Sequence, residues 1–294
     1  MLWHGEAIHI GNAFRNIEWL ESKGKKVYFV TNNAYLSRRS MQEKMASEIF
    51  KYNASIDSLY PSSTIACQYI KQKMPTVKKV YYTGGPSIGE ELEGAGLEPS
   101  ADNVVSYKQK IAGEYLTHEE LEKYPFDEEV GAVISGWDPT CDYTRLSLAS
   151  IYLQKCKQWV VCNEDAYTIQ HGYRAMGGGT LVAAVEYSLR KPGTTELICN
   201  KVVAGKPNPG IVELIRNHHD IPVEELYKFV MVGDRPDTDI QMANNAGIAS
   251  CLVLTGVMQN LDDVDRCVAQ NPKNKPTWIV HSFGQELDFV TDES

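Results

Sequence analysis

The feature that most constrains this sequence is an alternation. Short apolar runs rich in Val and Tyr give way repeatedly to stretches of helical periodicity. Residues 25–31, KKVYFVT, read as a buried strand, preceded by an amphipathic helix over about 7–22 that closes at Gly24. Further short strands are predicted at 80–82, 130–135, 159–162, 202–204, 229–232, 251–254 and 278–280. Helical patterns fall between them, at 37–52, 63–73, 143–157, 180–190, 209–218 and 237–246. Strand followed by helix, many times over, predicts a parallel sheet covered on both faces, an α/β doubly wound fold.

A chain of 294 residues has room for one large domain or two modest ones. The stretch 91–123 is richer in Glu, Lys and Gly than its flanks, and Gly193-Thr194-Thr195-Glu196 precedes the return of the strand–helix pattern. We therefore expect a core made of 1–84 and 199–294, with 85–198 inserted as a second α+β domain. A hydrophobic content of 43% with 23% charged residues excludes a disordered or collagen-like chain. The balance of 29 basic against 38 acidic residues, a net charge of −9, argues against nucleic acid or an anionic membrane surface as partner. A single phosphate needs only a local patch and stays open. No apolar run reaches the roughly 18 residues of a membrane span. The opening Met1-Leu2-Trp3-His4-Gly5 lacks the basic-then-apolar pattern of a secretory signal. Seven scattered cysteines without a Cys-x-x-Cys pair suit reduced thiols in the cytoplasm.

Three segments carry candidate chemistry. In Val230-Met231-Val232-Gly233-Asp234-Arg235-Pro236-Asp237-Thr238-Asp239 an apolar strand runs into three carboxylates. Ligands of open α/β sheets bind beyond the carboxyl ends of the strands. Hard oxygen donors there suit Mg²⁺, which takes one or two protein carboxylates and fills its shell with water and phosphate. The same acidic residues could instead only complement a helix N-terminus. Phe29-Val30-Thr31-Asn32-Asn33 ends a second strand in a hydroxyl, two amides and backbone N–H groups that can donate to phosphate oxygens, or in a plain turn. Val203-Ala204-Gly205-Lys206-Pro207-Asn208-Pro209 ends a third strand with a lysine able to neutralise phosphate, just before a Pro-started helix.

Together these segments stand in a recognisable order. The chain resembles the haloacid dehalogenase superfamily of phosphohydrolases, in the branch of 4-nitrophenylphosphatases, phosphoglycolate phosphatases and pyridoxal phosphatases. The likeness rests on Leu2-Trp3-His4-Gly5, VYFVTNN at 27–33, GWDP at 136–139, GGGTLVAAVE at 177–186, GKPNP at 205–209 and MVGDRPDTDI at 231–240. It implies a Mg²⁺-dependent phosphatase of small phosphomonoesters working through an aspartyl phosphate. Thr31, Asn32 and Asn33 would form the phosphate-binding loop, and Lys206 would neutralise the phosphoryl group. Asp234 would be the metal ligand, with Asp239 supporting the metal's water shell. The insert would be a cap over the site, with Trp137, Asp138 and 163–179 near the substrate, and a possible surface for a homodimer. The run NEDAYTIQH at 163–171 lacks much of the family's wording, which leaves the substrate unassigned.

One departure concerns the reaction itself. In the family, Leu-Trp-x-Gly directly follows Asp-x-Asp-Gly, whose first Asp attacks phosphorus and whose second is acid and base. The tetrapeptide occurs nowhere in the 294 residues, and Met1 aligns just after its Gly. The first core strand is thus expected to be missing, and the chain as written inactive. A non-catalytic pseudophosphatase that binds a phosphometabolite is the alternative. An incomplete sequence is favoured, because losing a central strand leaves backbone groups unpaired at about 1–3 kcal/mol each.

Other segments carry less. The seven histidines show no metal-ligand spacing, and His218 with His219 adjoins a helix end. GGPSIG at 84–89 has P-loop glycines but is followed by Glu90 rather than Lys. Gly177-Gly178-Gly179 could accept an anion, or serve close packing. Cys67 and Cys156 fall on apolar helical positions and read as core.

Overall fold

The computed structural model describes residues 3–4, 8–103, 116–170 and 173–284. Met1, Leu2, Gly5 and His171, named above, lie outside them, as do residues 104–115 of the 85–198 segment. In chain order the elements begin with β1 (Trp3–His4), β2 (Ile8–His9), α1 (Ala13–Ser22), β3 (Phe29–Thr31), α2 (Arg38–Ala46), β4 (Leu59–Pro61) and α3 (Ser62–Lys73). There follow β5 (Lys79–Thr83), α4 (Ser87–Gly94), β6 (Glu98–Pro99), α5 (His118–Glu122), β7 (Val130–Ser135), α6 (Tyr143–Cys156) and β8 (Gln158–Val161). The chain continues through β9 (Tyr167–Gln170), β10 (Tyr173–Met176), α7 (Gly178–Ser188), β11 (Asn200–Val203), α8 (Gly210–His218) and β12 (Val230–Gly233). A π-helical turn over Pro236–Ile240 leads into α9 (Gln241–Ala246), then β13 (Ala249–Val253), α10 (Leu261–Gln270) and β14 (Trp278–Val280).

Two compact units divide the chain. The first comprises Met1–Phe29, Gln42–Leu59 and Lys206–Ser294, the second Val30–Met41 and Tyr60–Gly205. In the first, β12, β13 and β14 form a parallel three-stranded sheet in that order. Leu252 of β13 packs with Ile240 and Val264 in its core. The strand β12 lies at an edge of this sheet, and its Val230 and Val232 are exposed.

In the second unit a parallel sheet of five strands runs in the order β11-β8-β7-β5-β6. Numbered within this sheet that order is 5-4-3-1-2, the flavodoxin-like arrangement, whose reversal lies between β5 and β7. Tyr81, Val133, Leu148, Tyr152, Leu153, Trp159 and Val161 fill its core. The sheet includes 79–83 and 200–203, so its strands reach past both ends of the 85–198 segment set apart by composition. The remaining described strands pair as β1–β2, β3–β4 and β9–β10.

Local chemistry sets the element ends. Asp142 starts α6 by accepting the Arg145 N–H at 2.9 Å, and the helix stops at Lys157, whose φ is 61°. Thr117 and Glu120 form a reciprocal capping box at α5. Two predicted helices are shorter than their periodicity suggested. Residues 8 and 9, placed in the helix over 7–22, pair instead with 3 and 4 as a strand. The helix expected over 37–52 ends at Ala46, because Lys51 turns left-handed and the Tyr52 N–H bonds back to the Met45 carbonyl at 2.9 Å. The described helices include none long and apolar enough to cross a membrane.

Candidate active site

The strand β12 ends at Gly233 and delivers Asp234 at its carboxyl end. Asp234 is buried, and its Oδ2 accepts the Val257 N–H at 2.8 Å. The loop that reaches it needs glycine: a Cβ on Gly256 would collide with the Asp234 carboxylate itself. The π turn then folds Asp239 back. Its Oδ1 accepts from Lys206 Nζ at 2.6 Å and its Oδ2 from the Arg235 N–H at 3.1 Å. Lys206 and Asp239 are only 10% and 5% exposed, a nearly buried ion pair. Asn245 holds the lysine's loop by donating to the Pro207 carbonyl at 3.2 Å. Asp237, in contrast, faces outward and pairs with Arg235 at 2.8 Å.

Burial, and then the neighbouring charge of Asp239, raises the Asp234 carboxyl above the ordinary carboxylate range. The Val257 N–H and the Lys206 charge pull the other way. Two carboxylates crowded in this manner are a place where a cation is welcome. Among the described residues no group of three or more His, Cys, Asp or Glu side chains converges on one point. The buried Thr255 hydroxyl, one residue before Gly256, has no hydrogen-bond partner among them. Hard oxygen donors, only one or two of them carboxylates, with a hydroxyl to spare, fit Mg²⁺ and its water and phosphate ligands better than a fully caged metal. Asp234 and Asp239 are the residues that could hold it.

Thr31, Asn32 and Asn33 gather in the second unit. Thr31 Oγ1 accepts the Asn33 N–H at 3.1 Å, which leaves its own proton to donate elsewhere. Asn33 is exposed, and its Oδ1 accepts the Tyr35 N–H at 2.8 Å. Asn32 is held from several sides: its carbonyl accepts from Ser62 Oγ and Asn163 Nδ2, each at 2.7 Å, and its own Nδ2 donates to Asp165 at 3.3 Å. Sequence reasoning did not single out Ser62, Asn163 or Asp165 as partners of Asn32. They lie 30, 131 and 133 positions away, and no local signal marks them.

At the reversal point of the five-stranded sheet, Trp137 follows β7. Its ring meets Tyr35 edge-on at 5.3 Å and its Nε1 donates to the Met176 carbonyl at 3.2 Å. Asp138 differs from the expectation of a substrate-side residue. It is buried in an ion pair with Arg145 and also accepts from Thr140, while Arg145 donates to the Gly84 carbonyl at 3.2 Å. Gly177-Gly178-Gly179 serves close packing: the Gly177 and Gly179 N–H groups bond to the Ala166 and Asp165 carbonyls, each at 3.0 Å. GGPSIG begins α4, with Ser87 Oγ donating to the Ala34 carbonyl at 2.8 Å. His219 packs on the Tyr28 ring at 4.6 Å and is partly buried, which lowers its pKa. Cys67 is buried, as expected, whereas Cys156 is half-buried.

Residues 1–98 match the family described as haloacid dehalogenase-like hydrolase, and residues 203–285 match HAD-hydrolase-like. Phosphoglycolate phosphatase 2 of Arabidopsis thaliana is 31% identical over 276 residues, covering 90% of this chain and 83% of the relative. Glycerol-3-phosphate phosphatase of Gallus gallus is 29% identical over 260 residues, covering 87% and 77% respectively. The crystal structure of 4-nitrophenylphosphatase from Thermotoga maritima superposes with a TM-score of 0.72 at 26% identity, over 97% of this chain and 91% of that one.

Proposed function

Since the chain belongs to the haloacid dehalogenase-like hydrolases, we propose that it is built for Mg²⁺-dependent hydrolysis of small phosphomonoesters in the cytoplasm. The phosphoglycolate, glycerol-3-phosphate and 4-nitrophenyl phosphate named by its relatives are the substrate classes to try first. The observation that carries the proposal is the buried Lys206–Asp239 pair beside Asp234, at the carboxyl end of β12.

Each residue has a physical part. Lys206 offers a desolvated positive charge for a phosphoryl oxygen, and Asp239 fixes where that charge sits. Within the second unit, Thr31 offers its hydroxyl proton to a phosphate oxygen, with Asn33 supplying amide donors. Asp234 and Asp239 would hold Mg²⁺, which when bound neutralises phosphate charge. The segment 85–198, with the sheet strands that flank it, is proposed as the cap that selects the leaving group and as a surface for a homodimer. Exposed Tyr173 and Tyr187 support the second role.

Aspartyl-phosphate chemistry requires Asp-x-Asp-Gly, absent from the 294 residues. We therefore propose that this chain by itself binds phosphate without turning it over. Among the described strands β12 pairs only with β13, so a strand carrying that tetrapeptide could pair along its other edge. The test is calorimetric titration of the 294-residue chain with inorganic phosphate in saturating Mg²⁺. Saturable binding, weakened at least tenfold in Lys206→Ala, is expected. No binding by the unaltered chain, or equal binding by the variant, would overturn the proposal.

A further inference from the structure

Asn163 stands two residues past the end of β8, far along the chain from any residue assigned a part in phosphate binding. It is only 4% exposed, and both faces of its amide are used. Its Nδ2 donates to the Asn32 carbonyl at 2.7 Å, and its Oδ1 accepts the Asp165 N–H at 3.1 Å. Asp165 in turn accepts from Asn32 Nδ2 at 3.3 Å. The three residues close a ring of hydrogen bonds around Asn32, gripping both its backbone and its side chain. The chain near Gly205 shapes the same spot, since a Cβ there would strike the Cys162 carbonyl and lie 2.8 Å from Asn32 Oδ1. A buried amide with both ends satisfied has one orientation open to it, because flipping it would set oxygen against the Asn32 carbonyl and leave an N–H donor facing another.

Asn32 is flanked by Thr31, whose hydroxyl proton is free to be aimed, and by Asn33, whose N–H is spent on Thr31. Fixing the Asn32 peptide therefore fixes the direction of the Thr31 hydroxyl and of the donors beside it. Preorganised donors cost nothing to align when an anion arrives, whereas loose ones must be ordered at the expense of affinity. We infer that Asn163 and Asp165 are positioning residues for the phosphate-binding loop: they never touch phosphate, yet set its affinity by clasping Asn32. The inference rests on the proposed role of Thr31–Asn33 and deepens it. It also sets these two residues apart from the rest of the 85–198 segment. Their effect should fall on the phosphoryl group that every substrate shares, not on the leaving group that varies.

The experiment titrates inorganic phosphate, in saturating Mg²⁺, into the 294-residue chain and its variants, with Tm recorded for each. Asn163→Asp keeps the shape but turns a donor into an acceptor facing the Asn32 carbonyl. It should weaken phosphate at least tenfold, as should Asp165→Ala. Asp165→Asn keeps an oxygen for Asn32 Nδ2 and should recover most of the loss seen with Asp165→Ala. Ser188→Ala, on the surface of α7, provides a reference for changes in Tm alone. If the Asn163 and Asp165 variants lower Tm yet bind phosphate as the unaltered chain does, the clasp is merely structural and the inference is wrong. If the unaltered chain binds no phosphate, or Lys206→Ala binds as tightly, the functional proposal fails first and takes this inference with it.

Discussion

At the scale of single residues, Asp234 carries the sharpest expectation. In the metal-free protein its charge is unfavourable, because it is buried and faces Asp239. A carboxyl whose folded pKa is raised contributes stability that is present at low pH and lost as pH climbs through that raised value. Asp234→Asn keeps an oxygen for the Val257 N–H and removes the charge. In metal-free urea unfolding the variant should therefore be more stable than the parent at pH 8, and the gain should shrink as pH falls through the raised Asp234 pKa. Adding Mg²⁺ should reverse the order, stabilising the parent and not the variant. A variant no more stable than the parent at pH 8 without metal would contradict this view of the site. The sequence revealed that Asp234, Asp239 and Lys206 were chemically interesting because each sits where an apolar strand runs out. It could not reveal that Lys206 and Asp239 pair, for they lie 33 residues apart and only the fold joins them. Asp138 misled for the converse reason. A polar residue after a strand looks available to a ligand until its partner, Arg145, is seen one helix later.

That same pair states the case at the scale of elements. Asp138 and Arg145 are both buried, and Arg145 ties the loop after β7 to α6 and to Gly84 after β5. Arg145→Met should cost about 3–5 kcal/mol in denaturant unfolding, because it strands a buried carboxylate without its counter-charge. The double variant Asp138→Asn with Arg145→Met should recover much of that loss, since both charges are then gone. A small cost for the single variant, or no recovery in the double, would mean that the pair does not hold these elements together. The buried strands were legible because runs such as 130–135 and 159–161 are apolar on both faces. The hairpin of β9 and β10 was not. Tyr173 and Met176 are exposed in it, so no inward stripe betrays a strand. Nor was β4, whose three residues pass without a loop into α3. The left-handed Lys51 likewise leaves no mark in a periodicity that counts only apolar spacing.

For the whole molecule, we propose a chain that carries a phosphate and metal site without the nucleophile of Asp-x-Asp-Gly. The five-stranded parallel sheet and the Lys206, Asp239 and Asp234 cluster each lie within one unit. The Asp-x-Asp-Gly proposed to supply the attacking carboxylate does not occur in the 294 residues, and loss of a covalent nucleophile costs other enzymes on the order of a million-fold in turnover. The deciding measurement is hydrolysis of 4-nitrophenyl phosphate in Mg²⁺ by two purified proteins, the 294-residue chain and the same chain with a strand ending in Asp-x-Asp-Gly fused ahead of Met1. Turnover is expected only in the fused protein, abolished there by chelating the metal and by replacing the first Asp of the tetrapeptide with Asn. Steady, Mg²⁺-dependent hydrolysis by the 294-residue chain alone, free of contaminating phosphatase, would contradict it, because some residue already present would then have to be the nucleophile.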